Sequence, residues 1–203
     1  MKHRNKHITK LAVVILAAGE SKRMGQPKQL LPWGNFTLLG HTISNVLEVQ
    51  KDHVYVVLGA FYDQIIDKHQ TFPVQYIKNE SWKDGMSSSI TLAIQTIENQ
   101  NIDGILFLLA DQPEVDSTYI QTIIKDFNEN QDLIATKYPK SIGIPVIFGR
   151  SYFSELKNIN TQSGAKSIIM ENLTNVKVKT PKHFFRDIDT PEVYRVLKEE
   201  LGG

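Results

Sequence analysis

The chain has 203 residues, of which 41% are hydrophobic and 22% charged. This fits one compact α/β domain, or a domain with a small appendage, and allows a sizeable core. Lys and Arg number 23 against 22 Asp and Glu, and this formal net charge of +1 argues against a general electrostatic nucleic-acid binder. The absence of cysteine excludes disulfides, thiolate nucleophiles and zinc–thiolate sites.

Residues 1–10 are basic and polar. They are not followed by the apolar core and cleavage site of a secretory signal, and no apolar stretch approaches the ~18 residues that a membrane span needs. We therefore expect a solvated basic tail over residues 1–10 and a single domain over residues 11–203. We also expect a cytoplasmic location, with neither membrane nor nucleic acid as a partner.

Apolar runs alternate with helical patterns along the chain. Short apolar runs predict strands over residues 11–16, 54–58, 74–77, 104–110, 133–136, 144–148 and 176–179. Apolar residues at i, i+3, i+4 spacing predict helices over residues 38–49, 61–69 and 86–97, and after Ser117, Ser163-Gly164 and Thr190. This alternation predicts an α/β domain with a mostly parallel sheet.

Three local signals concern element ends and edges. Ser117 is expected to cap the helix that follows strand 104–110. Thr190 is expected to cap the last helix, with Pro191 at its first position. Pro145 lies within run 144–148 and predicts an edge strand or a bent strand, because proline cannot donate a ladder hydrogen bond.

Residues 16–28 form the most informative stretch, reading Leu-Ala-Ala-Gly-Glu-Ser-Lys-Arg-Met-Gly-Gln-Pro-Lys. Glycines allow backbone N–H groups to approach a polyphosphate closely, while Lys22, Arg23 and Lys28 supply positive charge. The spacing matches neither the dinucleotide fingerprint nor the P-loop. On the residues alone, the stretch is a phosphate loop of another kind or a polar turn.

The carboxyl ends of parallel strands place residues 16–28, 59–60, 79–89 and 111–113 on one rim, where ligands of open α/β sheets bind. Asp111 directly follows a wholly apolar strand, and is either a divalent-metal ligand or a helix cap. The metal role is favoured because Ser117 lies closer to the helix start.

Two further carboxylates, Asp187 and Asp189, are alternate residues and can share one face of an extended chain. With Asp111 they offer the oxygen ligands that Mg²⁺ prefers. Alternatively, Asp189 only stabilises the N-terminus of the last helix through the helix dipole. The residues alone do not separate these two interpretations.

Residues 79–89 are rich in hydroxyl and amide groups. Asn79 and Ser87 to Ser89 carry donors and acceptors suited to a base or a ribose, and a helix start favours anions. Trp82 is expected to pack against the protein rather than to stack on a base.

With residues 16–25, Lys28 and Leu30-Leu31-Pro32, the chain resembles the signature loop of MobA-like nucleotidyltransferases, and within that group the molybdenum cofactor cytidylyltransferases. The resemblance continues through residues 79–89, 109–113, 143–148, 164–165 and 187–192. It departs from the family pattern at Ile144, residues 160–163 and Lys166, on the acceptor side.

The resemblance implies a Rossmann-like three-layer domain of the nucleotide-diphospho-sugar transferase type. The implied activity is the Mg²⁺-dependent transfer of a nucleotide from a nucleoside triphosphate to a phosphate monoester, releasing pyrophosphate. Arg23, Lys28 and Asp111 are the implied catalytic residues, with metal ligands at Asp111 and at Asp187 or Asp189. The residues expected to bind the nucleotide are Leu16, Ala17, Ala18, Gly19, Ser21, Arg23, Met24, Gly25, Lys28, Gly59, Asn79, Gly85, Ser87, Ser88 and Ser89.

Ala18 favours CTP, because cytidylyl members of the group read Leu-Ala-Ala-Gly where guanylyl members usually read Leu-Ala-Gly-Gly. The implied acceptor is molybdopterin, and the implied recipient of the product is a molybdenum hydroxylase apoenzyme. The alternatives are a GTP-using guanylyltransferase, a sugar-phosphate or alditol-phosphate nucleotidyltransferase, and a non-catalytic accessory protein for a molybdenum hydroxylase.

Overall fold

Seven strands form the central sheet of the computed structural model, which describes residues 10–128, 132–159 and 164–202. Two further short strands form a separate antiparallel pair. In chain order the nine strands are β1 (Leu11–Ala17), β2 (Pro32–Trp33), β3 (Phe36–Thr37), β4 (Val54–Leu58), β5 (Gln75–Lys78), β6 (Gly104–Leu109), β7 (Leu133–Lys137), β8 (Ile142–Gly149) and β9 (Lys177–Lys179).

The strand order in the main sheet is β5-β4-β1-β6-β8-β7-β9. All neighbouring pairs are parallel except those made by β8, which runs antiparallel to both β6 and β7. The predicted mostly parallel sheet is therefore confirmed. After β1 the chain first adds β4 and β5 on one side and then returns to place β6 on the other. The carboxyl ends of β1 and β6 thus flank a switch point, where ligands bind in open α/β sheets.

Helices cover both faces of the sheet. They are α1 (Leu38–Leu47), α2 (Tyr62–His69), α3 (Met86–Ile97), α4 (Ser117–Asn128), α5 (Phe153–Lys157), α6 (Gly164–Glu171) and α7 (Pro191–Leu201). One core joins the sheet to α1, α2 and α4, and a second core joins it to α3, α5 and α6. Successive residues of β1 alternate between the two cores, with Val13 in the first and Val14 in the second, as the period of a strand requires. The result is the expected three-layer domain.

The cap predicted at Ser117 is wrong by one residue. The carboxylate of Asp116 accepts the backbone N–H of Tyr119 at 2.7 Å, so Asp116 caps α4 and Ser117 is its first residue. At α7 the prediction is confirmed, since Thr190 accepts the N–H of Val193 at 3.4 Å and Pro191 is the first helical residue.

Strand β8 lies inside the sheet, so the edge position considered for it is wrong. The pairing of β7 with β8 shifts register between Ala135 and Thr136, and Ile144 and Pro145 fall in the shift. A proline without an N–H fits there because bulged residues do not donate to the ladder.

A third, smaller core attaches the loop after β1 to α7. It contains Met24, Leu31, Trp33, Leu38, Ile188 and Leu197. Ser163 and residues 1–9 of the predicted basic tail lie outside the described residues. Within the described ranges, none of the helices has the length and apolar character needed to span a membrane.

Candidate active site

Side-chain hydrogen bonds link the beginning and the end of the loop that follows β1. The Gln29 amide donates to the carbonyl oxygens of Ala17 at 2.7 Å and Gly19 at 3.0 Å, and the Ser21 hydroxyl accepts the N–H of Lys28 at 3.2 Å. Gln29 is buried, and the sequence analysis did not single it out. The available signal was a polar residue beside the apolar pair Leu30-Leu31.

Two other predicted loop residues shape the turn. Met24 is buried in the small core against α7, so its side chain anchors the loop. Gly25 ends the short helical turn Lys22–Met24 with a φ of 67°, a conformation that glycine adopts without a steric penalty.

A cavity of about 270 Å³ opens between the carboxyl ends of β1 and β6. It brings together eight residues predicted for the nucleotide or metal site, which are Leu16, Ala17, Ala18, Gly19, Lys28, Gly85, Ser89 and Asp111. Five further residues complete its lining, which are Gln29, Trp82, Met86, Leu109 and Ala110. The predicted rim is thus a concave surface.

Lys28 is the centre of a charged cluster at one end of this cavity. Its ammonium group forms an ion pair with Asp111 and lies 2.9 Å from Asp189 Oδ1. Arg23 reaches the other oxygen of Asp189 at 2.7 Å. The backbone also joins the segments, because the N–H of Ile188 donates to the carbonyl of Asp111 at 2.9 Å.

Burial and charge act in opposite directions within this cluster. Burial raises the pKa of Asp111, and the attraction of Lys28 offsets this only in part. Burial lowers the pKa of Lys28, but the two carboxylates outweigh it and the net pKa is raised. For Asp189, burial is outweighed by Lys28 and Arg23, and the pKa is lowered.

Among the described residues, one buried oxygen of the cluster has no hydrogen-bond partner. Asp111 Oδ1 is buried and accepts no hydrogen bond from the described residues. Buried acceptors in folded proteins are normally satisfied, so this oxygen is a candidate ligand-binding or cation-binding atom.

The segment 79–89 is organised by Asn79. This buried side chain donates to the hydroxyls of Ser88 and Ser89, both at 2.9 Å, and accepts the N–H of Ser81 at 2.9 Å. Ser87 is also buried. Asn79 and Ser88 therefore hold the loop in shape, a role that the sequence analysis did not assign, and their contact with a base stays a prediction.

Gly59 allows this loop to approach the end of β1. A Cβ atom at Gly59 would lie 2.4 Å from the Cβ of Trp82 and 2.8 Å from the carbonyl oxygen of Ala18. Trp82 packs against the glycine and lines both the first cavity and a neighbouring one of about 420 Å³ that Gly59 also lines. That Trp82 does not stack on a base stays a prediction.

Asp187 lies in a different environment from Asp189. Its Oδ1 accepts a hydrogen bond from the Gln112 amide at 2.8 Å. Asp187 and Gln112 line another cavity of about 380 Å³, together with Tyr138, Ile144 and Lys166. This cavity shares Met86 and Leu109 with the first one, so the two spaces adjoin.

At the switch point of a mostly parallel sheet, the chain places a glycine-containing loop, a lysine and an aspartate around one cavity, an arrangement typical of α/β proteins that bind phosphate ligands. The sequence profile of the MobA-like NTP transferase domain matches residues 13–176. The chain belongs to the MobA-like NTP transferase family, which confirms the resemblance seen in its motifs.

Individual relatives align over nearly the whole chain. The purine catabolism protein PucB of Bacillus subtilis is 26% identical over 200 residues, covering 93% of this chain and 96% of PucB. The crystal structure of Rv0371c from Mycobacterium tuberculosis is also 26% identical, covers 94% of this chain and 98% of its own, and superposes with a TM-score of 0.83. A second structure of Rv0371c, in complex with manganese, has a TM-score of 0.77 and covers 94% of this chain and 99% of its own.

Proposed function

We propose that the protein is a Mg²⁺-dependent cytidylyltransferase that transfers CMP from CTP to the phosphate group of molybdopterin and releases pyrophosphate. The observation that carries the proposal is the convergence of the loop after β1, Lys28 and Asp111 on one cavity. Phosphoryl-type transfers need positioned charges more than covalent participation by the protein. This site consists of positioned charges.

The triphosphate would lie against the loop of residues 18–28. Arg23 and Lys28 would stabilise the charge that develops on the departing pyrophosphate. In the structure both cations pair with Asp189, so this carboxylate holds Arg23 close to Lys28, which lines the cavity. No general base is required, because an ionised phosphate of the acceptor is already a nucleophile. Its oxygen forms the new bond to the α-phosphorus as the bond to pyrophosphate breaks.

The residues present fit a divalent cation. Asp111 has a buried oxygen with no partner among the described residues. The neighbouring Asp187 accepts a hydrogen bond from the neutral Gln112 amide, whereas Asp189 pairs with both Lys28 and Arg23. We therefore assign Asp111 and Asp187 to Mg²⁺, and Asp189 to the orientation of Lys28 and Arg23. When bound, the ion would neutralise charge on the reacting phosphates.

The proposed ligand set is small. Among the described residues, no group of three or more His, Cys, Asp or Glu is arranged to hold a metal ion. Mg²⁺ is usually held by one or two carboxylates together with substrate phosphates, so a pair of aspartates is sufficient. The manganese complex of Rv0371c also favours the use of a divalent cation in this family.

The cavity that Asp187 lines would hold the acceptor. It adjoins the first cavity through Met86 and Leu109, as transfer between two bound substrates requires. Two positions at which the chain departs from the family pattern, Ile144 and Lys166, also line it. Molybdopterin as the acceptor, and a molybdenum hydroxylase apoenzyme as recipient of the product, rest on the motif resemblance.

The choice of CTP rests on Ala18, whose side chain lines the first cavity. Its methyl group would narrow the space beside the base, and a smaller pyrimidine fits that restriction. A site that also hydrogen-bonds a base edge discriminates more strongly, since a wrong base leaves buried polar groups unpaired at ~1–3 kcal/mol each.

Pyrophosphate release with CTP, GTP, ATP and UTP, each with and without molybdopterin, tests the proposal. We expect release with CTP and molybdopterin together, and a higher kcat/KM for CTP than for GTP that falls in Ala18→Gly. A higher kcat/KM for GTP in the unmodified protein would contradict the assignment of the base. Release with a sugar phosphate or an alditol phosphate, but not with molybdopterin, would contradict the assignment of the acceptor.

A further inference from the structure

A chain of hydrogen bonds crosses the wall of the cavity of about 380 Å³, the proposed acceptor cavity, and ends on Asp187. The Tyr138 hydroxyl donates to the backbone carbonyl of Ile144. The Gln112 amide nitrogen donates to the Tyr138 hydroxyl at 2.9 Å and to Asp187 Oδ1 at 2.8 Å. Four residues lining one cavity are therefore joined in series.

The partners fix the direction of every bond in this chain. A carbonyl and a carboxylate only accept hydrogen bonds, so Tyr138 donates to Ile144 and Gln112 donates to Asp187. The hydroxyl proton of Tyr138 is thereby used, and its oxygen must accept from Gln112. Burial raises the pKa of Tyr138, which keeps the hydroxyl protonated and able to donate.

Gln112 is held firmly at the centre. It is only 3% exposed, and both of its amide protons are used. Its Oε1 is buried and accepts no hydrogen bond from the described residues. A side chain of this kind, buried and with both donors committed, restricts the orientation of the exposed carboxylate of Asp187.

We propose that Gln112 and Tyr138 are positioning residues that orient Asp187 for divalent-cation binding and thereby link the acceptor cavity to the metal site. The inference rests on the proposed function, because it takes Asp187 as a metal ligand. Removal of a residue that hydrogen-bonds to a metal ligand commonly lowers metal affinity or activity ~10–100-fold. A cavity wall that bonds to a metal ligand through two side chains is suited to that effect.

The test is a titration with Mn²⁺ followed by electron paramagnetic resonance, in the presence of α,β-methylene-CTP. We expect Gln112→Met and Tyr138→Phe each to weaken Mn²⁺ binding ~10-fold. Tyr119→Phe is the matched control, because Tyr119 is also a buried tyrosine but its hydroxyl is bonded to Thr136 at 2.8 Å, outside the chain that ends on Asp187. It should bind Mn²⁺ like the parent.

A double-mutant cycle separates orientation of Asp187 from general damage to the fold. In an Asp187→Ala background, Gln112→Met should cause no further loss of Mn²⁺ affinity, because the group it orients is absent. An equal loss in both backgrounds would overturn the inference. So would Mn²⁺ affinities equal to that of the parent in folded Gln112→Met and Tyr138→Phe proteins.

The outcome for the unmodified protein distinguishes this inference from the proposed function. A parent protein that transfers CMP and binds Mn²⁺ normally, while both variants match it, would overturn the inference alone. A parent that binds neither Mn²⁺ nor the CTP analogue would overturn the proposed function together with the inference. Thermal unfolding identifies any variant that fails to fold, and Tyr138→Phe, which removes a single oxygen, keeps the test decisive in that case.

Discussion

The ammonium group of Lys28 lies 2.9 Å from a carboxylate oxygen of Asp189, although 161 residues separate them in the chain. The contact joins the loop after β1 to the segment that leads into α7. It also places a positive charge between Asp189 and Asp111, whose carboxylate pairs with the same lysine. The positively charged ammonium group of Lys28 therefore lies at the point where we expect the triphosphate and Mg²⁺ to bind.

Replacement of Asp111 by asparagine should abolish transfer and preserve the fold. The substitution keeps the shape of the side chain but removes the charge that would hold the cation, and metal-ion catalysis is worth several kcal/mol, or ~10³-fold in kcat. Steady-state kinetics and circular dichroism measure the two effects. Asp67→Asn, at an exposed position on α2, is the control and should behave like the parent. Full activity in a folded Asp111→Asn protein would contradict the metal assignment.

Lys28→Met should raise the KM for CTP and lower kcat. The variant removes a charge that faces Asp111 and Asp189 in the free protein and the phosphates in the proposed complex. Lys22→Met is the control, since Lys22 lies in the same loop but its side chain is 81% exposed and forms an ion pair with Glu20 at 3.4 Å. Equal loss of activity in the two variants would indicate that the general charge of the loop matters, and not the position of Lys28.

Substitution of two glycines, one in each proposed substrate site, can test the two sites independently. A Cβ atom added at Gly19 or at Gly143 meets no atom of the described residues within 4 Å, apart from the glycine's own chain neighbours, and neither residue has a positive φ. Gly19 lines the cavity of about 270 Å³ assigned to the nucleotide, and Gly143 lines the cavity of about 380 Å³ assigned to the acceptor. Gly19→Ala should therefore raise the KM for CTP, and Gly143→Ala the KM for the acceptor, with unchanged thermal stability. The reverse pattern would contradict the assignment of the cavities.

Asp126 on α4 should contribute stability that depends on pH. Burial opposes ionisation of this carboxylate, but Lys177 at 3.0 Å and Lys179 at 2.9 Å on β9 outweigh it and lower its pKa. The stabilisation is present above the unfolded-state pKa near ~3.9 and is lost as the pH falls through the lower folded-state pKa.

Asp126→Asn should accordingly lower the free energy of unfolding at neutral pH by about 1 kcal/mol, as measured by urea denaturation. The difference from the parent should close in acid, when the carboxylate of the parent is protonated. A difference of the same size at neutral and acid pH would show that packing, and not the ion pairs, links α4 to β9.

The sequence was informative where the signal was local. Strands such as β6 are recognisable because an unbroken apolar run of that length is typical of a buried parallel strand. The position of Asp111 followed from the end of that run, since strand ends and the switch point are set by topology. The cap of α4 was less certain, because Asp116 and Ser117 are both suitable residues and only the backbone geometry selects one.

Contacts between residues that are distant in the sequence could not be predicted from it. Nothing near Pro145 indicates that β8 lies between β6 and β7, because the bulge that accommodates it depends on the partner strand. The bond from Gln29 to Ala17, and the different partners of Asp187 and Asp189, likewise depend on how distant segments meet. Asp187 and Asp189 were predicted to share one face of an extended chain. In the folded protein, the carboxylate of Asp187 contacts Gln112, whereas that of Asp189 contacts Lys28.

The most direct measurement of the central claim follows label from CTP during incubation with molybdopterin and Mg²⁺. With phosphorus-32 at the α-position, the label should enter the pterin product, whereas label at the γ-position should leave as pyrophosphate. The Asp111→Asn protein should give neither result. Retention of all label in unreacted CTP, in the presence of intact molybdopterin, would contradict the proposed transfer of CMP. Transfer of label only from labelled GTP would contradict it as well.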